Sequence, residues 1–380
     1  MRRETSLYLD AARFLAAFVV FIGHVGSGSI GGGLGWQLTP YGAPAVVIFF
    51  VLSGFVIGYV SHEREKSGRD YVIARGARLY SVIVPTLVLT ALLDYVGTLV
   101  SPSLYATWSP LLGSGGWHLP VSLLFLNETW GAHILPGSNG AYWSLSYEAA
   151  YYAIFGLVFY LRGITRILVP VAIALVAGPQ IVALLPVWLT GWAAYHACTR
   201  WTIGRRLGWL LFFGSIIVAI GADFWARRYG MLAGFQALFD HGPAELAQDY
   251  VLGLIFAVNL LGFNAIGPVF SGIVQRISAP IRWLSGATFT LYLLHVPLVL
   301  CVRALFQAVE SSVISEAAIL VIPFVGALAI AHVTERKKNV WKQLIERMVI
   351  LITSSTVTMR RGTALRTEPP LSPARAEGGD

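Results

Sequence analysis

The sequence predicts an all-α, polytopic membrane helical bundle of about ten transmembrane helices. Three observations carry this expectation. The chain is 56% hydrophobic and only 12% charged, with a mean hydropathy of +0.68, roughly half the charge of a soluble domain. The apolar residues fall in runs long enough to cross a bilayer. The basic residues sit in short clusters between those runs, so the net charge of +8 does not point to nucleic acid. Cys198 and Cys301 lie in or beside apolar segments and give neither a disulfide framework nor a metal spacing.

The spans are expected over 7–25, 43–60, 78–100, 142–161, 165–185, 186–198, 208–226, 248–264, 284–307 and 313–333. The N-terminal MRRETSLYLD runs directly into the first span without a small-residue cleavage site, which reads as a retained anchor. Pro186 separates the fifth span from a short sixth; a broken or re-entrant helix there would lower the count to nine. Lysine and arginine set the orientation. Of the 27, the outer loops hold Arg227 and Arg228 and the spans hold Arg13 and Arg303, while the loop 101–141 has none. The rest collect on the N-terminal side, so both termini are expected in the cytoplasm. Residues 1–335 form the transmembrane domain. The stretch ERKKNVWKQLIERMVILI predicts a basic amphipathic helix, placed at 336–353, lying on anionic lipid at the inner surface. Residues 354–380, rich in Ser, Thr, Pro and Arg, read as disordered. No internal repeat is visible.

The first span, DAARFLAAFVVFIGH, carries Asp10, Arg13 and His24. Titratable groups inside a bilayer helix are costly and mark function by default. Eleven residues separate Arg13 from His24, so both lie on one helix face roughly 16 Å apart. Asp10, one turn before Arg13, is placed to orient it. Snorkelling to the near surface is the plainer explanation for Arg13 taken alone. Entering the third span, Arg75 and Arg78 are spaced i, i+3 and together suit a phosphate or diphosphate, against the plainer reading of an ordinary positive-inside cluster. In the second span, Ser53 and Gly54 are small residues in a bulky helix, which argues close helix packing. Glu148 lies inside the fourth span, where pairing with His24 gives the usual carboxylate-oriented general base. In the ninth, Tyr292 and His295 stand i, i+3 before Pro297. Trp108, Trp117, His118, Trp130 and His133 in the long loop suit an interfacial aromatic belt better than a sugar platform.

Taken together, LDAARFLAAFVVFIGH, FFVLSGFVIGY, RGARLYSVIVP, YWSLSYE and LSGATFTLYLLHVPL resemble acyltransferase family 3, the polytopic bacterial O-acyltransferases of exopolysaccharide, O-antigen and related glycans. The resemblance implies an acyl-CoA donor, commonly acetyl-CoA, with succinyl-CoA as the alternative, and a sugar hydroxyl as acceptor. It implies a catalytic set of His24, Glu148 and Arg13, and cofactor binding by Arg13, Arg75 and Arg78. Asp10, Ser53, Trp143, Tyr292 and His295 support the site, and no metal is involved. Partners would be a glycan or lipid-linked oligosaccharide, membrane lipids and polysaccharide-biosynthesis proteins. One departure stands out: Ser81 follows Tyr80 where the family places proline, which comes here at Pro85. The competing class is a transporter or flippase of a lipid-linked glycan, since intramembrane charges also line substrate paths.

Overall fold

A computed structural model describes residues 1–31, 33–107, 116–228, 243–306 and 313–347. Helix makes up 85% of the structure, and no strand occurs among the described residues. In chain order the helices are α1 (Arg3–Val25), α2 (Gly42–Glu63), α3 (Gly68–Val100), α4 (Pro102–Tyr105), α5 (His118–Leu123), α6 (Trp143–Tyr160) and α7 (Thr165–Ala177). They continue as α8 (Pro179–Arg200), α9 (Arg205–Arg228), α10 (Pro243–Ile266), α11 (Ser271–Ser285), α12 (Thr288–Phe306) and α13 (Val313–Ala331). A further helix, α14, covers 338–347, within the expected amphipathic segment. Trp108 and the tail 354–380 lie outside the described residues.

Eight helical segments are long and apolar enough to cross a membrane. They contain α1, α2, α3, α8, α9, α10, α12 and α13. The other two expected spans are α7, which has 13 residues, and α6, whose stretch WSLSYEAAYY is too polar to qualify. The boundary between the fifth and sixth spans differs from expectation. Pro186 lies inside a continuous α8, and the break falls at Gly178. Gly178 has φ +92°, a conformation that favours glycine. A Cβ there would lie 2.7 Å from the backbone nitrogen of Trp130. Pro179 then opens α8, where its missing N–H costs nothing.

Helix α3 begins ten residues before its expected span. Ser67 caps it by accepting the Asp70 N–H at 3.1 Å. Its 33 residues extend for about 50 Å, so the first turns, bearing Arg75 and Arg78, precede the apolar part. Ser81 hydrogen-bonds the Arg78 carbonyl at 3.1 Å, and the helix passes Pro85 without ending.

The near end of the bundle is where α1 starts, and the far end is where it finishes. Helices α1, α2 and α12 pack together at the centre, with α3 against α12 and with α8 and α10 against α2. In α12, 72% of the most apolar window is buried, against 11% in α9. Helix α12 is therefore a core element, and α9 presents Leu210, Phe213, Ile217, Ile220 and Phe224 outward, as a lipid-facing helix does. Two apolar clusters result. One gathers Phe50, Val51, Phe55, Leu145, Tyr151 and Trp188 around α2, α6 and α8. The other joins Phe21 and Val25 of α1 to Leu291, Val296 and Leu300 of α12. At the near end Arg2 donates to the Asn264 carbonyl at 2.9 Å and Thr5 to its side chain at 3.0 Å, tying the start of α1 to the end of α10.

Candidate active site

A pocket opens among α1, α2, α3, α6 and α12, with about 730 Å³ of empty space counting its mouth. Its polar lining is Arg13, Ser53, Arg78, Ser144, Glu148, Tyr152, Thr288, Tyr292 and Glu335; its apolar wall includes Val46, Phe49, Phe50 and Phe289. Five positions expected from the sequence, Arg13, Ser53, Arg78, Glu148 and Tyr292, therefore meet in one cavity, from five different helices.

Each polar side chain has a definite setting. Arg13 Nη1 lies 3.6 Å from Asp10 Oδ1, and the same carboxylate oxygen accepts the Ser285 hydroxyl at 3.2 Å. Asp10 thus orients Arg13 from outside the pocket lining. The Arg78 side chain makes no hydrogen bond or ion pair among the described residues, and its buried Nε has no partner. Its guanidinium stands 5.9 Å over the Phe289 ring. An arginine held this way offers its planar fork of donors to a ligand. Arg75 is placed differently. It is bonded to Glu65 at 2.7 Å and lies over the rings of Tyr71 and Tyr152 at 5.7 and 5.6 Å. The i, i+3 pair does not form a joint clamp: Arg78 enters the pocket while Arg75 is engaged by a carboxylate behind it.

Glu148 accepts hydrogen bonds from Ser53 at 3.4 Å and from Tyr152. Ser53 also receives the indole N–H of Trp188 at 3.2 Å, so α2, α6 and α8 are joined through one hydroxyl. His24 is not part of the pocket lining. A ring packed against it is that of His295, with centroids 4.7 Å apart, and not the carboxylate of Glu148. The reason is helix geometry: Glu148 faces the middle of α2, whereas His24 sits in the last turn of α1 beside α12.

The protonation pattern of the histidine pair follows from its acceptors. His295 Nδ1 lies 2.7 Å from the Tyr292 carbonyl and 3.2 Å from that of Leu291. Carbonyls only accept, so the neutral ring carries its proton on Nδ1 and its lone pair on Nε2. That lone pair faces His24 Nδ1 at 3.1 Å, and His24 Nδ1 is also 2.9 Å from the Val20 carbonyl. Both contacts require a proton on His24 Nδ1, which leaves the lone pair of the neutral ring on Nε2. Tyr292 links the two regions: its hydroxyl donates to Ser144 at 2.9 Å inside the pocket, and its carbonyl holds His295.

Trp143 does not reach the cavity. It is buried edge-on against Phe50 and Tyr147 as packing. Sequence reasoning missed Tyr152, Thr288, Phe289 and above all Glu335, which lies in the basic run taken as a surface helix. The signal available was a lone acid directly after the last span. Among the described residues no cluster of His, Cys, Asp and Glu of metal-binding size occurs.

A helical membrane bundle with two arginines, two carboxylates and hydroxyls in an internal cavity, and a buried histidine pair beside it, has the layout of a membrane-embedded enzyme. The family described as "Acyltransferase domain" (Acyl_transf_3) matches residues 6–335, and the chain belongs to this family, acyltransferase family 3. Similar proteins include the exopolysaccharide production protein ExoZ of Rhizobium meliloti (strain 1021), 28% identical over 67% of this chain and 75% of its own length. Another is the acyltransferase MdmB of Streptomyces mycarofaciens, 29% identical over 39% of this chain; the match spans 38% of that relative's own length. No solved structure matches.

Proposed function

We propose that the protein transfers an acyl group from acyl-CoA to a sugar hydroxyl of an exopolysaccharide or another envelope glycan, in the cytoplasmic membrane with both termini inside. The observation that carries this reading is the pocket itself. It places the uncommitted guanidinium of Arg78, with Arg13, in a cavity joined through Tyr292 to the His295–His24 pair. Arg13 and Arg78 would hold anionic groups of the donor, and the long pantetheine arm would carry the thioester past Phe49 and Tyr292 towards His24. Arg75 supports this arrangement through the shared Tyr152 ring. A glycan acceptor is supported by the exopolysaccharide role in the name of one relative.

In the chemical step His24 Nε2 takes the proton of the sugar hydroxyl as that oxygen attacks the thioester carbonyl. The carbon–sulfur bond then breaks, and the CoA thiolate recovers the proton from His24. His295 accepts from His24 Nδ1, which keeps the lone pair on Nε2 and orients the ring. Glu148 acts from the pocket, setting Ser53 and Tyr152 and balancing the arginine charge. The histidines border an apolar cluster of Phe21, Val25, Val296 and Leu300, which favours an uncharged acetyl group over succinyl.

The test is CoA release by purified protein from acetyl-CoA and succinyl-CoA, with and without a glycan acceptor. Wild type should release CoA from acetyl-CoA, and His24→Ala should not. Equal release by His24→Ala removes it from the chemistry. A hydroxylamine-sensitive acyl label on His24 would replace base catalysis with a covalent acyl-histidine.

A further inference from the structure

Glu335 opens a short 3-10 turn, Glu335–Lys337, after α13. Its Oε2 accepts the backbone N–H groups of Phe289 at 3.0 Å and Thr290 at 3.1 Å, and the Thr290 hydroxyl at 3.4 Å. Those N–H groups belong to the first turn of α12 and have no acceptor inside the helix. The positive end of the helix dipole further favours the carboxylate there. The residues on either side are fastened too. Thr334 and Thr290 share a hydroxyl–hydroxyl bond of 3.0 Å. Arg336 donates to the Trp283 carbonyl at 2.8 Å and lies 4.5 Å over the Trp283 ring. Glu335 is thus a carboxylate built into the pocket wall from three sides.

The same side chain lines the cavity with Arg13 and Arg78. Those two cations come from α1 and α3 and repel one another in a medium of low dielectric constant. Arg78 has no ion pair of its own; what orients it is the Phe289 ring and the surrounding field. Glu335 bears on both, because it holds the Phe289 backbone and its negative charge acts on Arg13 and Arg78 alike, alongside that of Glu148 at Arg78.

We propose that Glu335 is a positioning residue for the acyl donor, a fixed carboxylate that holds Arg13 and Arg78 at the spacing the donor's anionic groups engage. The proposal rests on the acyl-CoA reading above. The carboxylate acts on the donor through the arginines, so its loss falls on donor affinity more than on the chemical step.

The experiment compares KM and kcat for acetyl-CoA in wild type, Glu335→Gln and Thr290→Val, with thermal stability in detergent alongside. Glu335→Gln keeps an amide oxygen for the α12 N–H groups and removes only the charge. It should raise KM about tenfold, the weight of one charge-assisted contact, with kcat changed less than about threefold. Thr290→Val removes a cap hydroxyl and keeps the charge; it should lower Tm and leave KM unchanged. A Glu335→Gln KM at or below that of wild type overturns the proposal, and a lower value would show a carboxylate that repels the donor. A rise in KM for Thr290→Val as large as for Glu335→Gln overturns it as well, by reducing Glu335 to a helix cap. If wild type turns over neither acetyl-CoA nor succinyl-CoA, the acyl-donor reading falls and this proposal with it. If wild type is active and Glu335→Gln has a normal KM, the proposal alone fails.

Discussion

Replacing Gly54 by alanine drives α2 and α8 apart. A Cβ at Gly54 would lie 2.0 Å from the Trp188 carbonyl oxygen. The obstacle is backbone, so no rotamer change relieves it. Ordinary contact begins near 3.4 Å, so the helices must separate by about 1.4 Å at this point. The crossing is reciprocal: a Cβ at Gly191 would meet the Val51 carbonyl oxygen at 1.9 Å. Overpacking of this kind costs about 1–3 kcal/mol. The same displacement stretches the 3.2 Å Trp188–Ser53 bond beyond hydrogen-bond range and loosens Ser53 from Glu148, so turnover should fall with stability. The assay is thermal unfolding in detergent, with CoA release measured in parallel, for Gly54→Ala, Gly191→Ala and the double variant. Each single variant should lose stability. The double variant should lose clearly less than the sum, because one widening of the gap relieves both clashes. Additive losses, or a Gly54→Ala protein with wild-type Tm, would refute the reasoning.

Arg78→Ala should raise the KM for acetyl-CoA at least about tenfold, whereas Arg75→Ala, freeing Glu65, should mainly lower Tm; equal KM effects from the two would contradict the geometry. Asp94 accepts the Ser138 N–H at 2.9 Å and its hydroxyl at 2.5 Å, so Asp94→Ala should cost about 3 kcal/mol and expose residues 126–141 to proteolysis; an unchanged digestion pattern would contradict it. In that same far-end loop, burial raises the Glu128 carboxyl from its ordinary 4.5 to about 7, although His133 Nδ1 is only 2.6 Å away. The folded state therefore binds this proton more tightly than the unfolded chain, and stability falls as pH rises from about 4.5 to about 7. Glu128→Gln should flatten that part of the Tm–pH curve, and a slope equal to that of wild type would show that another group causes it.

Much of the architecture was readable from hydropathy, because a bilayer leaves a chain few choices besides apolar helices. Asp10 sits by Arg13 as the i, i+3 spacing suggests. Other features depended on tertiary partners. Arg75 and Arg78 look equivalent in sequence; they differ because Glu65, beyond the turn before α3, bonds only the first. Proline at 186 looked like the helix breaker, yet a neighbouring helix can accommodate a proline, and the break falls at Gly178, where a positive φ and the close approach of Trp130 both favour glycine. His24 was expected beside a carboxylate. Its neighbour His295 arrives from α12, 271 residues away, and no local pattern announces the pairing. Glu335 was hidden by composition, being one acid at the head of a basic run.

The most direct test of the account is acetyl-CoA binding to purified protein in nanodiscs, compared among wild type, His24→Ala and Arg78→Ala. Wild type and His24→Ala should bind with equal affinity, because the histidine acts on the thioester and the pocket holds the donor. Arg78→Ala should bind at least about tenfold more weakly. Failure of wild type to bind acyl-CoA, or full affinity in Arg78→Ala, would contradict the claim that this pocket is the donor site.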